Sequence, residues 1–452
     1  MTKLFGTDGI RGLVNDKSIN SEMGFKVGWA LVEFSKKINR HPKIIIARDT
    51  RGSGLMLEAA LSAGIKANGG EVISAGIIPT PGLAFLIKSE KANAGVVISA
   101  SHNDCAYNGF KIFKYDGTKL NDREEEEIEN IILEDRSLMN FEINFSSQPA
   151  DFFYRDEGLT NKYIDFLLNF LSKEINFKGM KVALDCANGS TYEVAPEIFR
   201  RLGAEVELNF AQPDGKNINA NCGSQHTEAL QAEVKNKKAQ VGLAFDGDGD
   251  RLIAVAEDGK VLTGDQLIYI YSRLFLDQGW LKNDLVISTV MSNVGFINAL
   301  RALGVAHRAT DVGDRAVFFE MKRSGAVLGG EESGHIIFSG LHTTGDGILS
   351  ALMLVWAMNH YNQSLSELAA QFTLAPKLLV NVEVKTKPEL SSVAEIDKVI
   401  KEVENQLGGE GRILVRYSGT EPLCRVMIEG KNKNEISLLA DRICRVINKT
   451  LG

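Results

Sequence analysis

The run Phe245-Asp246-Gly247-Asp248-Gly249-Asp250-Arg251 alternates carboxylates with glycines directly after an apolar segment, Val241 to Ala244. Side chains at i, i+2 and i+4 lie on one side of an extended backbone, and glycine lets that backbone curl so that the oxygens converge. Three acids held together repel one another unless a cation sits among them. Hard oxygen ligands with no His or Cys suit Mg²⁺. A solvated acidic turn is the plain alternative, but here an apolar strand aims the cluster. A second set, Ser99-Ala100-Ser101-His102-Asn103, follows the apolar Gly95 to Ile98, with Lys111 close behind. A serine hydroxyl is a poor nucleophile unaided; as a phosphate ester it becomes a phosphoryl donor once cations neutralise the oxygens. Ser99 and Ser101 fall on the same face of an extended chain, so spacing leaves open which of them is used. A third set, Glu331, Ser333 and His335 in a Gly-rich turn, is equipped to grip adjacent hydroxyls and move a proton, although an ordinary polar turn reads the same way. The fourth, Arg416-Tyr417-Ser418-Gly419-Thr420-Glu421-Pro422 with Arg425, offers backbone N–H groups, hydroxyls and forked charge to an anion.

Each of the first three sets ends the same pattern. Lys43 to Ala47, a helical stretch from Leu57 to Asn68 and Gly69-Gly70-Glu71-Val72-Ile73 lead to the serine run. Lys181 to Asp185 and a helix ending at Arg201-Leu202-Gly203-Ala204 lead to the acidic run. Leu285 to Ser288 and a helix ending at Ala302-Leu303-Gly304-Val305 lead to Glu331. Strand, helix, glycine turn and strand is the signature of a parallel sheet, whose ligands collect at the carboxyl ends of strands. Three such loops could face a single cleft. After Ala375-Pro376 the pattern changes: Val380 to Val384 alternates as an antiparallel strand with one wet face, and helices and strands follow to the end. The predicted fold class is α/β, with three related mixed α/β domains (1–150, 151–251 and 252–370) and a smaller α+β domain (371–452). Ser146-Ser147-Gln148-Pro149 reads as a linker, and Arg123 to Glu129 as the solvated face of a helix.

Bulk properties narrow the function. The 452 residues are 44% hydrophobic and 24% charged, with a net charge of −7. That field would attract neither nucleic acid nor an anionic membrane. Cys105, Cys186, Cys222, Cys424 and Cys444 show no CxxC pairing and fit reduced thiols. No apolar leader opens the chain, and the longest apolar run, Ile348 to Met358, is too short for a bilayer; the expectation is a cytoplasmic protein. Neither GxxxxGK[ST] nor a GxGxxG after a strand is present, which removes nucleotide-using kinases and dehydrogenases. Two other readings of the acidic run are weaker. An EF-hand would place Asp246, Asp248 and Asp250 at its first, third and fifth positions and Glu257 at its twelfth, but its sixth is Arg251 rather than glycine. Phe245 to Gly249 also looks like the nucleophile motif of haloacid dehalogenase-type phosphatases, yet Asp250 stands where Thr or Val is usual and the motif is far from the start of its domain.

A serine donor, an acidic triad, a hydroxyl-gripping loop and a phosphate cradle without a nucleotide site suggest phosphoryl exchange within a sugar phosphate. On its motifs the chain resembles the α-D-phosphohexomutase superfamily over its full length, and most of all its glucosamine-phosphate branch. The motifs are Phe5-Gly6-Thr7-Asp8-Gly9-Ile10-Arg11-Gly12, Pro79-Thr80-Pro81-Gly82, Leu184-Asp185-Cys186-Ala187-Asn188-Gly189, Pro213-Asp214-Gly215 with Asn217-Ile218-Asn219, Cys222-Gly223-Ser224, Thr343-Thr344-Gly345-Asp346-Gly347, and Arg416 through Arg425. The resemblance implies four domains around a central cleft. It implies a phosphoserine at Ser101, and Mg²⁺ held by Asp246, Asp248, Asp250 and the Ser101 phosphate. Glu331 and Ser333 would bind sugar hydroxyls, while Arg416, Ser418, Gly419, Thr420 and Arg425 would bind the non-reacting phosphate. Lys111 and His335 would handle protons, with Arg11 and Arg251 as charge stabilisers.

The implied reaction interconverts glucosamine 6-phosphate and glucosamine 1-phosphate through a 1,6-bisphosphate, upstream of UDP-N-acetylglucosamine and peptidoglycan. Glucosamine or glucose 1,6-bisphosphate would act as primer. A phosphomannomutase/phosphoglucomutase and a non-catalytic sugar-phosphate sensor stay open as alternatives, as does a homodimer as the assembly. Four positions depart from the family pattern: Asp104 and Tyr107 in the serine loop, Glu332 in the sugar loop and Asp311 before Val312-Gly313-Asp314-Arg315. Asp104 would add negative charge beside a phosphoserine.

Overall fold

A computed structural model of the chain describes residues 4–6, 8–134, 154–156, 158–171, 177–418 and 422–452. Thr7, the stretch Ser146 to Pro149, Gly419, Thr420 and Glu421 therefore lie outside the described residues. The chain divides into two compact units, Met1–Val290 with Arg308–Ala369, and Met291–His307 with Ala370–Gly452.

The first unit is built on mixed sheets. One contains β1 (Ile10–Leu13), β2 (Lys43–Arg48), β3 (Glu71–Ile77), β4 (Ala94–Ile98), β5 (Tyr107–Lys114) and β6 (Tyr154–Arg155), in the order β1-β5-β4-β2-β3-β6. The next contains β7 (Lys181–Asp185), β8 (Glu205–Asn209), β9 (Val241–Phe245), β10 (Leu252–Ala256) and β11 (Val261–Leu262), in the order β11-β10-β9-β7-β8. A third has β12 (Leu285–Thr289), β13 (Ala306–Thr310), β14 (Leu328–Gly330) and β15 (Ile336–Phe338), in the order β13-β12-β14-β15. The expected parallel pairings are present: β2 with β3 and β4, β7 with β8 and β9, and β12 with β14. Their continuous apolar runs, such as Ile44-Ile45-Ile46, are fully buried, as strands covered on both faces require.

The sheets are not purely parallel, however. Each chemical loop reverses the chain, so the strand after it runs back beside the strand before it. Ile98 pairs with Phe110, Phe245 with Leu252, and Gly330 with Ile336, all antiparallel. The second sheet consequently runs past Arg251 through β10 and β11. Residues 99–106, 246–251 and 331–335 are thus three equivalent hairpin connections at the carboxyl ends of β4, β9 and β14.

Helices close the sheet faces. Ser21–Ser35 and Gly54–Ala67 pack closely because Gly28 and Gly64 leave room for the opposing backbone: a Cβ on either would strike a carbonyl of the other helix. Asp122–Glu134 is helical, but its acidic face is not wholly solvated, since Glu125 is buried against Arg315 (2.7 Å) while Glu126 stays exposed. The apolar run Ile348 to Met358 is a core helix buried on every side (Gly347–Tyr361), and among the described residues no helix is long and apolar enough to cross a membrane.

The second unit is an antiparallel sheet of β16 (Lys377–Glu383), β17 (Arg412–Tyr417) and β18 (Leu423–Glu429), in the order β16-β18-β17. Val382, Val426 and Ile428 from the sheet share a core with Ile396, Val403, Ile443 and Ile447 of the helices Ala394–Leu407 and Lys433–Leu451. The helix Val294–Ala302 belongs to this unit: the Val294 N–H donates to Glu429 Oε2 (2.9 Å), and Asn293 and Ala375 exchange hydrogen bonds of 2.9 and 2.8 Å. Nothing in its local sequence signals this, because Glu429 is 135 residues away.

Candidate active site

The serine loop and the acidic loop meet. Ser101 Oγ donates to Asp246 Oδ2 at 2.7 Å, and both residues are buried. Ser99 faces elsewhere, donating to Asp49 Oδ2 (2.6 Å) and accepting the Ser101 N–H at 3.0 Å. The two serines that spacing left equivalent thus have different surroundings, because the chain turns at Ser101, whose φ is +51°. That left-handed backbone costs an L-residue about 1–2 kcal/mol, so the loop must be held by its neighbours.

Asp246, Asp248 and Asp250 each offer an oxygen within 4.8 Å of the others, as the i, i+2, i+4 spacing predicted. Asp248 Oδ2 accepts from Thr80 Oγ1 (2.5 Å) and Lys111 Nζ (2.7 Å), while its buried Oδ1 has no hydrogen-bond partner among the described residues. Burial and the carboxylates of Asp250 and Asp248 push Asp246 well above the usual carboxylate range. Asp250 is held well below it: burial works the other way, but Lys111 and His335 outweigh it. Three buried carboxylates with an unused oxygen form a hard donor set that fits a divalent cation.

Cations surround these acids. Lys111 is buried and touches Asp248, Asp250 (3.2 Å) and Asp8 (2.9 Å). Burial opposes its charge, yet those acids raise its pKa well above the ordinary lysine value. Arg251 Nε lies 3.9 Å from Asp246 and 3.8 Å from Asp250. Arg11 donates to Asn103 Oδ1 in the serine loop (3.1 Å) and contacts Asp8 at 3.4 Å. His335 Nδ1 is 3.4 Å from Asp250, and its Nε2 accepts the Gly345 N–H at 3.0 Å, which fixes the tautomer with the proton on Nδ1. Burial disfavours the charged ring, but Asp250 and Asp314 outweigh it and raise the pKa.

Glu331 Oε1 accepts the Gly313 N–H (3.0 Å), and burial raises its pKa. Ser333 Oγ is buried without a hydrogen-bond partner among the described residues. Asp104, the departure that threatened to crowd a phosphoserine, is exposed and turns its carboxylate onto the Ala106 N–H (2.9 Å).

In the second unit, Arg416 and Arg425 stand directly opposite each other on β17 and β18. Like charges in that position repel, an arrangement an anion would relieve. Arg425 Nη2 donates to Ser418 Oγ (3.4 Å), and Lys387 Nζ to the Ser418 carbonyl (2.6 Å). Gly419 and Thr420, named for the same cradle, are outside the described residues.

Sequence reasoning missed several of these groups. Lys387 adds a third cation to the Arg416–Arg425 end. Asp8 and Lys119 were not assigned, yet Asp8 joins Lys111, Lys119 and Arg11, and Lys119 also pairs with Asp314. The signal for Asp8 lies in the run Asp8-Gly9-Ile10-Arg11, whereas Lys119 stands in none of the quoted motifs. Thr80 was quoted in a motif without a role. Asp49 and Arg51 were missed altogether, although they follow the carboxyl end of β2 as the chemical loops follow β4, β9 and β14.

Comparison with known proteins agrees with this geometry. Models of the phosphoglucomutase/phosphomannomutase family match in order: α/β/α domain I over residues 2–139, domain II over 161–259, domain III over 263–374 and the C-terminal domain over 379–446. The phosphoglucosamine mutase of Syntrophobacter fumaroxidans is 49% identical over 450 residues, covering 99% of this chain and 98% of that protein. The chain belongs to the phosphoglucosamine mutase family. The enzyme of the same name from Syntrophus aciditrophicus is 49% identical over the whole of both chains. Among solved structures, a phosphoglucomutase/phosphomannomutase family protein from Burkholderia thailandensis shares the fold at 23% identity and a TM-score of 0.81, covering 99% of this chain and 97% of that one. An N-acetylphosphoglucosamine mutase from Aspergillus fumigatus, solved with GlcNAc-6P and magnesium, aligns at 17% identity and a TM-score of 0.71, over 99% and 95% of the two chains. As a member of this family, the chain is a phosphohexomutase, an isomerase.

Proposed function

We propose that this mutase interconverts glucosamine 6-phosphate and glucosamine 1-phosphate in the bacterial cytoplasm, through a phosphate carried on Ser101. The observation that carries the proposal is the buried Ser101 hydroxyl, 2.7 Å from Asp246, beside a triad with oxygen capacity to spare. Asp246, Asp248 and Asp250, with the Ser101 phosphate, would hold Mg²⁺. When bound, the ion supplies Lewis-acid stabilisation of the transferring phosphoryl group.

In the first half-reaction the sugar's free hydroxyl oxygen bonds to phosphorus and gives up its proton, while the bond from phosphorus to Ser101 Oγ breaks and Oγ takes up a proton, so that none is gained or lost overall. The product is a 1,6-bisphosphate. In the second half-reaction it presents its other phosphate, Oγ gives up its proton and bonds to that phosphorus, and the freed sugar oxygen takes a proton. Transfer between such esters is close to thermoneutral, so placement and charge are what the protein contributes. Lys111, kept charged by Asp8, Asp248 and Asp250, suits charge stabilisation and proton donation. His335 sits where a proton can be exchanged, with Nδ1–H towards Asp250. Arg11 and Arg251 complete the positive surround. Glu331 and Ser333 would accept and donate to sugar hydroxyls. Arg416, Ser418, Gly419, Thr420 and Arg425 would hold the non-reacting phosphate. Glucosamine or glucose 1,6-bisphosphate would load Ser101 at the start.

A coupled assay primed with glucose 1,6-bisphosphate tests this by comparing glucosamine, glucose and mannose phosphates. Highest kcat/KM on glucosamine 6-phosphate is expected. Preference for mannose or glucose phosphate would replace it with the phosphomannomutase/phosphoglucomutase reading, and no turnover on any of them would favour a sensor.

A further inference from the structure

The polar network beneath Ser101 has no part in the chemistry just described. Arg51 is fully buried and uses every one of its N–H donors. Nε donates to Asp49 Oδ2 (2.8 Å), Nη2 to the carbonyls of Ser101 (3.0 Å) and Asn103 (2.8 Å), and Nη1 to the carbonyls of Tyr107 (3.0 Å) and Asp104. One guanidinium thus binds both ends of the loop from Ser101 to Tyr107. Asp49, equally buried, accepts from Arg51 Nε and from Ser99 Oγ through the same oxygen, and Ser99 Oγ takes the Ser101 N–H. From the second sheet's side, Asn219 Nδ2 donates to the carbonyls of Ser101 (2.9 Å) and Asn103 (2.8 Å). The amide before Ser101 and the carbonyl after it are therefore both tied down, at the one residue of the loop with a left-handed φ.

We propose that Arg51, acting with Asp49 and Ser99, is a positioning residue that sets the Ser101 backbone and so aims its oxygen at the acidic triad. A planar five-donor fork is needed to reach four carbonyls and a carboxylate together; the three donors of a lysine on a flexible stem do not reproduce it. In the hydrogen bonds above, Arg51 and Ser99 bond to the serine loop and Asp49 and not to Glu331 or Ser333, so their expected effect falls on the placement of Ser101. The role deepens the mutase reading and rests on it. A misplacement of about 1 Å costs on the order of 100-fold in rate.

The test uses the full chain, primed with glucose 1,6-bisphosphate, with Arg51→Lys and Ser99→Ala compared with the wild type. Folded protein is counted from the thermal transition, and phosphate on Ser101 is measured by mass spectrometry. Expected for Arg51→Lys is a fall in kcat per folded chain of about 100-fold, with KM for glucosamine 6-phosphate within about twofold. Ser99→Ala keeps the Asp49–Arg51 pair and removes one hydroxyl, which accepts the Ser101 amide and donates to Asp49. It should lose about 10-fold in kcat per folded chain and melt somewhat below the wild type but still fold, so the proposal stays testable if Arg51→Lys fails to fold. A purely structural role would lower the amount of folded enzyme and leave kcat per folded chain unchanged in both variants, and that result overturns the inference. An inactive, unphosphorylated wild type would instead overturn the mutase reading beneath it.

Discussion

The acid–serine centre and the Glu331–Ser333 turn occupy equivalent places, each in the hairpin after a central strand, but their polar atoms are treated differently. Around Asp246, Asp248 and Asp250 the oxygens accept from Ser101, Thr80, Lys111 and the Arg251 N–H; among the described residues Asp248 Oδ1 and Asp250 Oδ1 lack a hydrogen bond, although His335 Nδ1 stands 3.4 Å from the latter. In the Glu331–Ser333 turn, Ser333 Oγ is buried without such a partner among the described residues, and Glu331 Oε1 accepts the Gly313 N–H. Atoms that must stabilise a transition state gain from being fixed beforehand. Atoms that must recognise a hydroxyl gain from being left for the substrate to satisfy. On the proposed reading, the fixed groups of the first loop would serve transfer, its two open oxygens a cation, and the open Ser333 hydroxyl the binding of substrate.

Substitution separates the two behaviours. Asp248→Asn should have the largest effect, lowering kcat by about 10³-fold or more with little change in KM, since the loss falls on the transition state. Chelation of divalent ions should abolish activity in the same way, with recovery on added Mg²⁺; a chelated enzyme at full rate would break the comparison. Glu331→Gln and Ser333→Ala belong to the other class. Each should lower kcat/KM by roughly 10- to 100-fold, mostly through KM, because what is lost is a hydrogen bond to the sugar. Equal loss in kcat for both classes would erase the distinction. Arg425→Gln should raise KM by about 10-fold and weaken the inhibition of turnover by inorganic phosphate, as removal of one arm of a phosphate fork predicts.

The smallest effect is on stability and involves the segment behind the sugar loop. His342 is buried, and burial together with Lys88 lowers its pKa to about 4. Its Nδ1 accepts the Thr343 N–H at 3.0 Å, two residues before the Gly345 N–H that binds His335. The folded ring stays neutral where the unfolded one takes a proton, so its contribution is intact above pH 6.5 and is lost as pH falls towards 4. The loss is at most roughly 3 kcal/mol. His342→Gln should flatten that part of the stability-versus-pH curve, read from urea midpoints, and leave activity at neutral pH within about twofold. His102 and His307, whose pKa values are also lowered to about 4 by burial, would retain the remaining slope.

Much of the site was legible because its chemistry is written in short local runs. Asp246, Asp248 and Asp250 needed only their spacing and the apolar strand before them, and the loops after β4, β9 and β14 followed from repeated strand–helix–strand punctuation. What was hidden depends on contacts between distant residues. Ser99 and Ser101 are equivalent by alternation and become different only once a positive φ turns the chain. Thr80 meets Asp248 across 168 residues, and Asn219 meets Ser101 across 118, separations that no local pattern reports. The antiparallel return strands were missed for a related reason. β10 and β15 are as apolar as the parallel strands, and direction is set by pairing rather than by composition. The helix Val294–Ala302 reads locally like the other crossover helices, and only its bonds to Ala375 and Glu429 assign it to the second unit.

The central claim is that phosphate is carried as an ester on the Ser101 hydroxyl. Mass spectrometry of the purified enzyme after incubation with glucose 1,6-bisphosphate and an acid quench tests it most directly. The account predicts an acid-stable addition of one phosphate on the peptide containing Ser101, absent in Ser101→Ala. An acid-labile acyl phosphate on Asp246, or a stable phosphate that persists in Ser101→Ala, would contradict it.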